Sequence, residues 1–206
     1  DLLAALPRQL RHAQAAAPAF AQILHGVDAD AVRSREALAE LPVTRKSDLL
    51  VRQKAQRSVD AMGGFSAALR GPAMRRVFAS PGTIYEPEGA APDYWRTARA
   101  LYAAGFRSGE LIHNSFSYHM TPAGSIRESG PHALGCTVFP GGTGQTEQQL
   151  QAIADLKPQA YLGTPSFLRI LVEKAAEAGS DIASLKKGLV GGEAFPPRLR
   201  AVSDTH

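Results

Sequence analysis

The alternation of strand-like and helix-like text beyond residue 94 constrains this chain more than any other feature in it. Leu111–Phe116, Cys136–Phe139, Ala160–Gly163 and Gly188–Gly191 read as short, largely apolar strands bounded by Gly or Pro. A helical pattern separates each from the next. Helix Tyr94–Ala104 ends at Gly105, and a Gly/Pro-bounded helix carries the chain from the first strand to Gly135. Thr146-Glu147-Gln148-Gln149 is a capping-box sequence with Leu150, Ile153 and Ala154 behind it at i, i+3 and i+4. Thr164-Pro165 pairs an N-cap with proline at the first helical position. Phe167, Leu168, Leu171 and Ala175 then form one apolar face, and the helix stops near Gly179. Strand–helix–strand at this spacing demands right-handed crossovers and a parallel sheet. The expected fold class is therefore α/β.

Parallel strands all leave by one edge of the sheet, where open α/β folds bind their ligands. The exits are Ser117-Tyr118-His119, Gly141-Gly142-Thr143, Thr164-Pro165-Ser166 and Gly192-Glu193-Ala194. They nominate a small-molecule cleft without naming the molecule.

The first part of the chain is of another kind. Leu3, Leu6, Leu10, Ala13 and Ala17 recur at helical spacing and predict an amphipathic helix interrupted near Pro18. A short helix is expected over residues 34–40. Leu41-Pro42-Val43 breaks the pattern, with Thr44 or Ser47 capping the next turn. Residues 55–75 show no clear period. Arg75-Arg76-Val77-Phe78 reads as a strand entering a loop at Ala79-Ser80-Pro81-Gly82-Thr83. The expected division is a helical region over 1–75 and an α/β nucleotide- and acyl-binding subdomain over 76–206.

Composition excludes several classes. A formal charge of +4 comes from scattered basic residues, with adjacent pairs such as Arg75-Arg76 and Lys186-Lys187 far apart in the sequence, which argues against nucleic acid as a partner. No apolar run approaches the ~18 residues that span a bilayer, so no membrane partner is expected. The single cysteine, Cys136, excludes an internal disulfide and suits a reducing, cytoplasmic setting. It reads as a packing residue in a buried strand. His113, His119 and His132 have no standard zinc spacing, so no metal ligands are assigned. Gly-x-Ser-x-Gly does not occur, and no catalytic residue is assigned. The chain starts at Asp1 and ends at His206 without a cap or polar tail, so both ends are expected to be cuts.

Five segments in order carry a resemblance. They are Leu41-Pro42-Val43-Thr44-Arg45-Lys46-Ser47-Asp48-Leu49, His113-Asn114-Ser115-Phe116-Ser117-Tyr118, Leu134–Pro140 followed by Gly144–Gln149, Thr164-Pro165-Ser166-Phe167, and Gly191-Gly192-Glu193-Ala194-Phe195. Together they resemble the N-terminal portion of the phenylacetate–CoA ligase family, within the adenylate-forming acyl- and aryl-CoA synthetases. The resemblance implies that a longer parent activates a phenylacetate-like carboxylic acid as acyl-AMP and passes it to coenzyme A. It implies ATP, Mg²⁺ and coenzyme A, with a small carboxylic acid as partner. The family's Mg²⁺-holding motif and lysine-bearing domain lie beyond this stretch, so the fragment alone is expected to be inactive. Apolar surface left uncovered by the cut predicts self-association, as a homodimer in its simplest form.

By the same resemblance Ser80, Gly82 and Thr83 would contact ATP phosphates, the bland reading being an ordinary turn. Gly191, Gly192, Glu193 and Ala194 would line the nucleotide, where missing Cβ atoms let a flat ring approach; otherwise they form a tight strand end. Tyr118, Pro165 and Ser166 would wall the acyl pocket, with core filling as the alternative for Tyr118. Phe167 reads as plain core. The departures sit in the phosphate loop. Where the family reads SSGTTGKP, this chain has Ser80-Pro81-Gly82-Thr83-Ile84-Tyr85-Glu86-Pro87. Pro81 has no N–H to offer a phosphate, and Glu86 stands in place of lysine. That leaves a catalytically inactive nucleotide- or acyl-binding homologue as the alternative. A flavodoxin-like binding domain sharing the strand order is a second.

Overall fold

The structure, a computed structural model, describes residues 2–197 and 200. The described residues fall into two compact units that divide between Ala90 and Ala91.

In the first unit, α1 (Leu2–Ala16) and α2 (Pro18–Ile23) meet at Ala17, where Pro18 opens the second helix. Leu10, Leu24, Ala29 and Val32 form its buried cluster, and Leu6, Ala13 and Phe20 pack against them. Ser34 caps α3 (Arg35–Ala39) by accepting the Ala37 N–H. Helix α4 (Lys46–Gln56) begins at Arg45 with no side-chain cap, so neither Thr44 nor Ser47 plays the expected part. Strands β1 (Met74–Ser80) and β2 (Ile84–Gly89) pair antiparallel. This hairpin explains why the division falls at Ala90 and not at residue 75. β2 also binds back to α4, because buried Gln53 accepts the Tyr85 N–H at 2.9 Å and donates to the Tyr85 carbonyl at 2.8 Å.

The second unit is the expected α/β sheet. Its elements are α5 (Ala98–Ala103), β3 (Leu111–Asn114), α6 (Ala123–Ala133), β4 (Thr137–Pro140), α7 (Thr146–Leu156), β5 (Ala160–Gly163), α8 (Pro165–Ala178) and β6 (Lys187–Val190). The strands are parallel in the order β4-β3-β5-β6. Alternation along β5 divides the core between the two faces. Ala160 and Leu162 join Leu101, Phe106, Ile112 and Phe116, while Tyr161 joins Leu150, Ile153, Leu171 and Ala175. β5 is buried throughout, as a central strand covered on both faces must be.

Two helix starts differ from expectation. Helix α5 begins at Ala98, later than Tyr94, because the Asp93 carboxylate accepts the Thr97 and Ala98 N–H groups and fixes the first turn there. Thr146 is the first helical residue of α7 and does not cap it. The N-cap is Gln145 in the left-handed region at φ 51°. Gln149 secures this entry by reaching back to the carbonyls of Gly142 (2.9 Å) and Gly144 (2.6 Å). Helix α8 starts as read: Thr164 Oγ1 accepts the Phe167 N–H, and Gly179 closes it at φ 66°.

Candidate functional site

The four strand exits lie at one edge of the second unit, and three of them converge. Phe116 follows β3, Thr164 follows β5 and Gly192 follows β6. A Cβ placed on Gly192 would sit 3.6 Å from Thr164 Cγ2 and 3.7 Å from Phe116 Cε1. Gly192 adopts φ 87°, which favours glycine and turns the chain after β6. The Gly191 N–H donates to the Gly163 carbonyl at 3.1 Å, continuing the ladder past the strand ends. Glu193 accepts the Ser166 N–H at 2.5 Å, so the β6 exit is tied to the first turn of α8. Hydrogen bonding from Ser166 holds the Glu193 carboxyl below its ordinary pKa. The Ser166 and Phe167 donors at the start of α8 are thus taken by Glu193 and Thr164. Ala194 follows and is exposed.

Tyr118 is half-buried beside the β3 exit. Asn114 Nδ2 donates to its hydroxyl at 2.8 Å and to the Gly124 carbonyl at 3.1 Å. Its ring packs on Gly124, where a Cβ would come within 2.8 Å of it. The ring is therefore fixed in orientation. Pro165 is buried and Ser166 half-buried in the first turn of α8. The structure brings Phe116, Thr164, Gly191, Gly192 and Glu193 together around one edge.

On the other side of β3, the Gly141–Gly144 loop is held from below. His113 lies stacked between Phe139 and Tyr161, with centroids at 5.2 and 6.3 Å. Its Nε2 is 2.6 Å from Gln149 Oε1. The Gln149 amide nitrogen already serves two carbonyls, so its oxygen faces the ring and His113 donates from Nε2. Burial pushes the His113 pKa down against the pull of that bond. His113 is therefore a neutral packing and positioning group. Among the described residues no three His, Cys, Asp or Glu side chains gather as metal ligands.

Ser80, Gly82 and Thr83 belong to the first unit, in the tight turn of the β1–β2 hairpin. The Thr83 N–H donates to the Ser80 carbonyl at 3.0 Å across Pro81 and Gly82, and Gly82 has φ 94°. Proline at the second position and a positive-φ glycine at the third satisfy a type II turn. Thr83 is also left-handed, at φ 61°. Ser80 is buried and donates to Glu86 Oε1 at 2.8 Å. The segment from Ile84 onward is strand, not loop. Glu86 is held by Ser80, and Pro81 shapes the turn. Glu86→Lys should remove the acceptor from Ser80 and cost about 1 kcal/mol of stability, read as a lowered midpoint in urea unfolding. An unchanged midpoint would mean that the Ser80–Glu86 bond does not form.

A groove of about 360 Å³ runs along the outer strand β6, lined by Leu168, Val172, Ile182, Leu185, Val190 and Phe195 among others. It contains none of the exit residues Tyr118, Thr164, Ser166, Gly191 or Glu193. No described helix is long and apolar enough to cross a membrane.

Comparison with known proteins adds the chemistry. No protein-family profile matches the chain. The chain is 33% identical over 206 residues to a phenylacetate–coenzyme A ligase of Aromatoleum evansii, covering 95% of this chain and 45% of that protein. The corresponding enzyme of Pseudomonas putida is 32% identical over 202 residues, covering 93% and 44%. The chain thus spans somewhat under half the length of the curated relatives it matches. Among solved structures, a 2-hydroxyisobutyryl-CoA ligase in complex with 2-HIB-AMP and CoA superposes with a TM-score of 0.83. It covers 98% of this chain and 46% of that one at 23% identity, a likeness that shows the fold.

Proposed function

The chain belongs to the phenylacetate–coenzyme A ligase family, and on that premise we propose that its full-length parent is an ATP-dependent acid–thiol ligase. The observation that carries this reading is the 33% identity to a phenylacetate–coenzyme A ligase across 95% of the chain. In the proposed reaction a carboxylate oxygen attacks the α-phosphorus of ATP and pyrophosphate leaves, giving acyl-AMP. The thiolate of coenzyme A then attacks the acyl carbonyl, the thioester forms and AMP departs.

This chain's residues bind and orient. Gly191 and Gly192 present a surface without side chains to the nucleotide ring, and Glu193 and Ala194 bound it. Tyr118, pinned by Asn114 and Gly124, offers an aromatic wall to the acyl group, and Pro165 and Ser166 at the start of α8 are the further pocket residues of this reading. Held groups of this kind supply positioning and transition-state stabilisation without reorganisation. The parent is expected to work in the cytoplasm, with a small carboxylic acid and coenzyme A as its partners and the homodimer as its assembly.

A second reading has an observation in its favour. The Ser80–Ile84 turn spends its serine hydroxyl on Glu86 and has a proline where a phosphate cradle needs an N–H. This suits an inactive homologue that binds acid or nucleotide without joining them. Acid-dependent exchange of labelled pyrophosphate into ATP by the full-length protein separates the two. Exchange stimulated by phenylacetate or a related acid is the expected result. Binding of acid and AMP with no exchange would establish the inactive homologue instead.

A further inference from the structure

Arg127 projects from α6 and is half-buried. Other arginines show how this chain usually treats a guanidinium: Arg76 meets Glu88 at 2.9 Å, Arg11 meets Asp30 at 2.5 Å, and Arg107 donates to two carbonyls at 2.8 Å. Arg127 differs. Among the described residues it has no carboxylate at ion-pair distance and no hydrogen bond; its one contact of this kind is the face of Phe116, 4.8 Å from the ring centroid. Burial lowers its pKa and no acidic neighbour opposes the shift.

Its position gives that isolation a meaning. Arg127 Nη2 stands 3.7 Å from where a Cβ on Gly191 would lie. Phe116, under the guanidinium, borders Gly192 and through it Thr164. The free cation therefore sits where the exits of β3, β5 and β6 meet, beside two glycines that bring no side chain into the space. A partly desolvated guanidinium without a partner is costly, and its planar fork of five donors matches a carboxylate or phosphate held through two oxygens. Phe116 holds the fork by a cation–π contact and leaves its N–H edge available.

We propose that Arg127 forms an oxyanion-binding site at the strand-exit cleft, taking a ligand oxyanion in a two-oxygen grip. Two sources share that chemistry: a second carboxylate on the acyl substrate, or a phosphate of the nucleotide. The choice of these ligands rests on the ligase reading; the anion site itself does not.

The test is equilibrium titration of the full-length protein and its Arg127→Met and Arg127→Lys variants with phenylacetate, 4-carboxyphenylacetate, AMP and adenosine. Thermal melting of each variant checks folding. The expected result is a loss of about tenfold or more for one anion in Arg127→Met, a smaller loss in Arg127→Lys, and a difference that shrinks as salt rises. A loss confined to 4-carboxyphenylacetate supports the site and names the acyl substrate as the source. A loss for AMP that spares adenosine supports it and names the phosphate. If Arg127→Met does not fold, Arg127→Lys decides: it keeps the charge and loses the fork, so a several-fold loss supports the site and unchanged binding overturns it. A folded Arg127→Met that binds every ligand like the unsubstituted protein overturns the proposal, as does an unsubstituted protein that prefers neither anion to its neutral or singly charged counterpart. Anion binding lost in Arg127→Met, together with no pyrophosphate exchange, leaves the site standing and removes the ligase reading.

Discussion

Gly163→Ala should cripple folding of the α/β unit. Gly163 ends β5, the buried central strand, and the Tyr161 side chain on the same face reaches forward over it. A Cβ at this position would lie 2.0 Å from the Tyr161 hydroxyl, 2.4 Å from Tyr161 Cζ and 2.3 Å from Ser115 Oγ. Tyr161 is 1% exposed and cannot swing away. Its hydroxyl lies 2.6 Å from Ser115 Oγ, which also approaches the Leu162 carbonyl at 3.2 Å, so relief of the clash breaks a buried polar contact as well. Gly163 has no positive φ, so alanine suits its backbone and alone would gain a few tenths to 1 kcal/mol. The expected net loss is nevertheless about 3 kcal/mol or more, at the upper end of overpacking effects. Urea unfolding measures it. Placing Gly163→Ala in a Tyr161→Phe background removes the nearest clashing atom, so the double variant should lose less than the sum of the singles. A Gly163→Ala protein that unfolds at the ordinary midpoint would show that the strand end is looser than described.

What could be read in advance divides along physical lines. α8 was legible because its signals are local: Thr164 caps, Pro165 opens, Leu171 and Ala175 keep the period, and Gly179 stops it. The parallel sheet followed from spacing alone. β2 was not legible. Its text, Ile84-Tyr85-Glu86-Pro87-Glu88-Gly89, carries a proline and two acids that argue against a strand. It forms because Arg76 pairs with buried Glu88 across the hairpin and because Gln53, far away in sequence, satisfies Tyr85. Such long-range partners leave no local periodicity.

The site shows the same division. The strand exits, with Tyr118, Thr164 and Gly191–Glu193, could be placed from the order of elements. The Glu193–Ser166 tie, the Asn114 clamp on Tyr118 and the isolation of Arg127 could not, since each depends on which side chains meet after folding. In sequence the stretch Ser80–Thr83 reads either as a loop contacting ATP phosphates or as an ordinary turn. Its type II signature, Pro81-Gly82, was already present, and the hairpin partner β2 was the missing piece.

Stability of the α/β unit should fall as the pH drops from 7 toward 5, and His113 should be the cause. The folded state holds His113 neutral because burial pushes its pKa below the ordinary value of 6.5. In the unfolded chain the ring protonates near that ordinary value. Between the two, the unfolded state binds the extra proton, so stability is fully present above about pH 6.5 and is lost as the pH falls toward the depressed folded value. The slope is at most about 1.4 kcal/mol per pH unit for one proton. His113→Phe keeps a flat ring between Phe139 and Tyr161 and should level the dependence in this range, at the expense of an unpaired Gln149 oxygen. Gln149→Leu should act in the opposite direction. It strips the His113 N–H of its acceptor, at about 1–3 kcal/mol, and removes the one bond that supports the charged ring, so the folded pKa falls further and the acid loss extends to lower pH. It also frees the Gly142 and Gly144 carbonyls, which should loosen the loop after β4 and speed hydrogen exchange there. Urea unfolding at pH 5, 6 and 7.5 reads these effects together. Level stability across that range in the unsubstituted protein, or an undiminished slope in His113→Phe, would remove His113 from the account and leave the Gly141–Gly144 loop to be held by Gln149 alone.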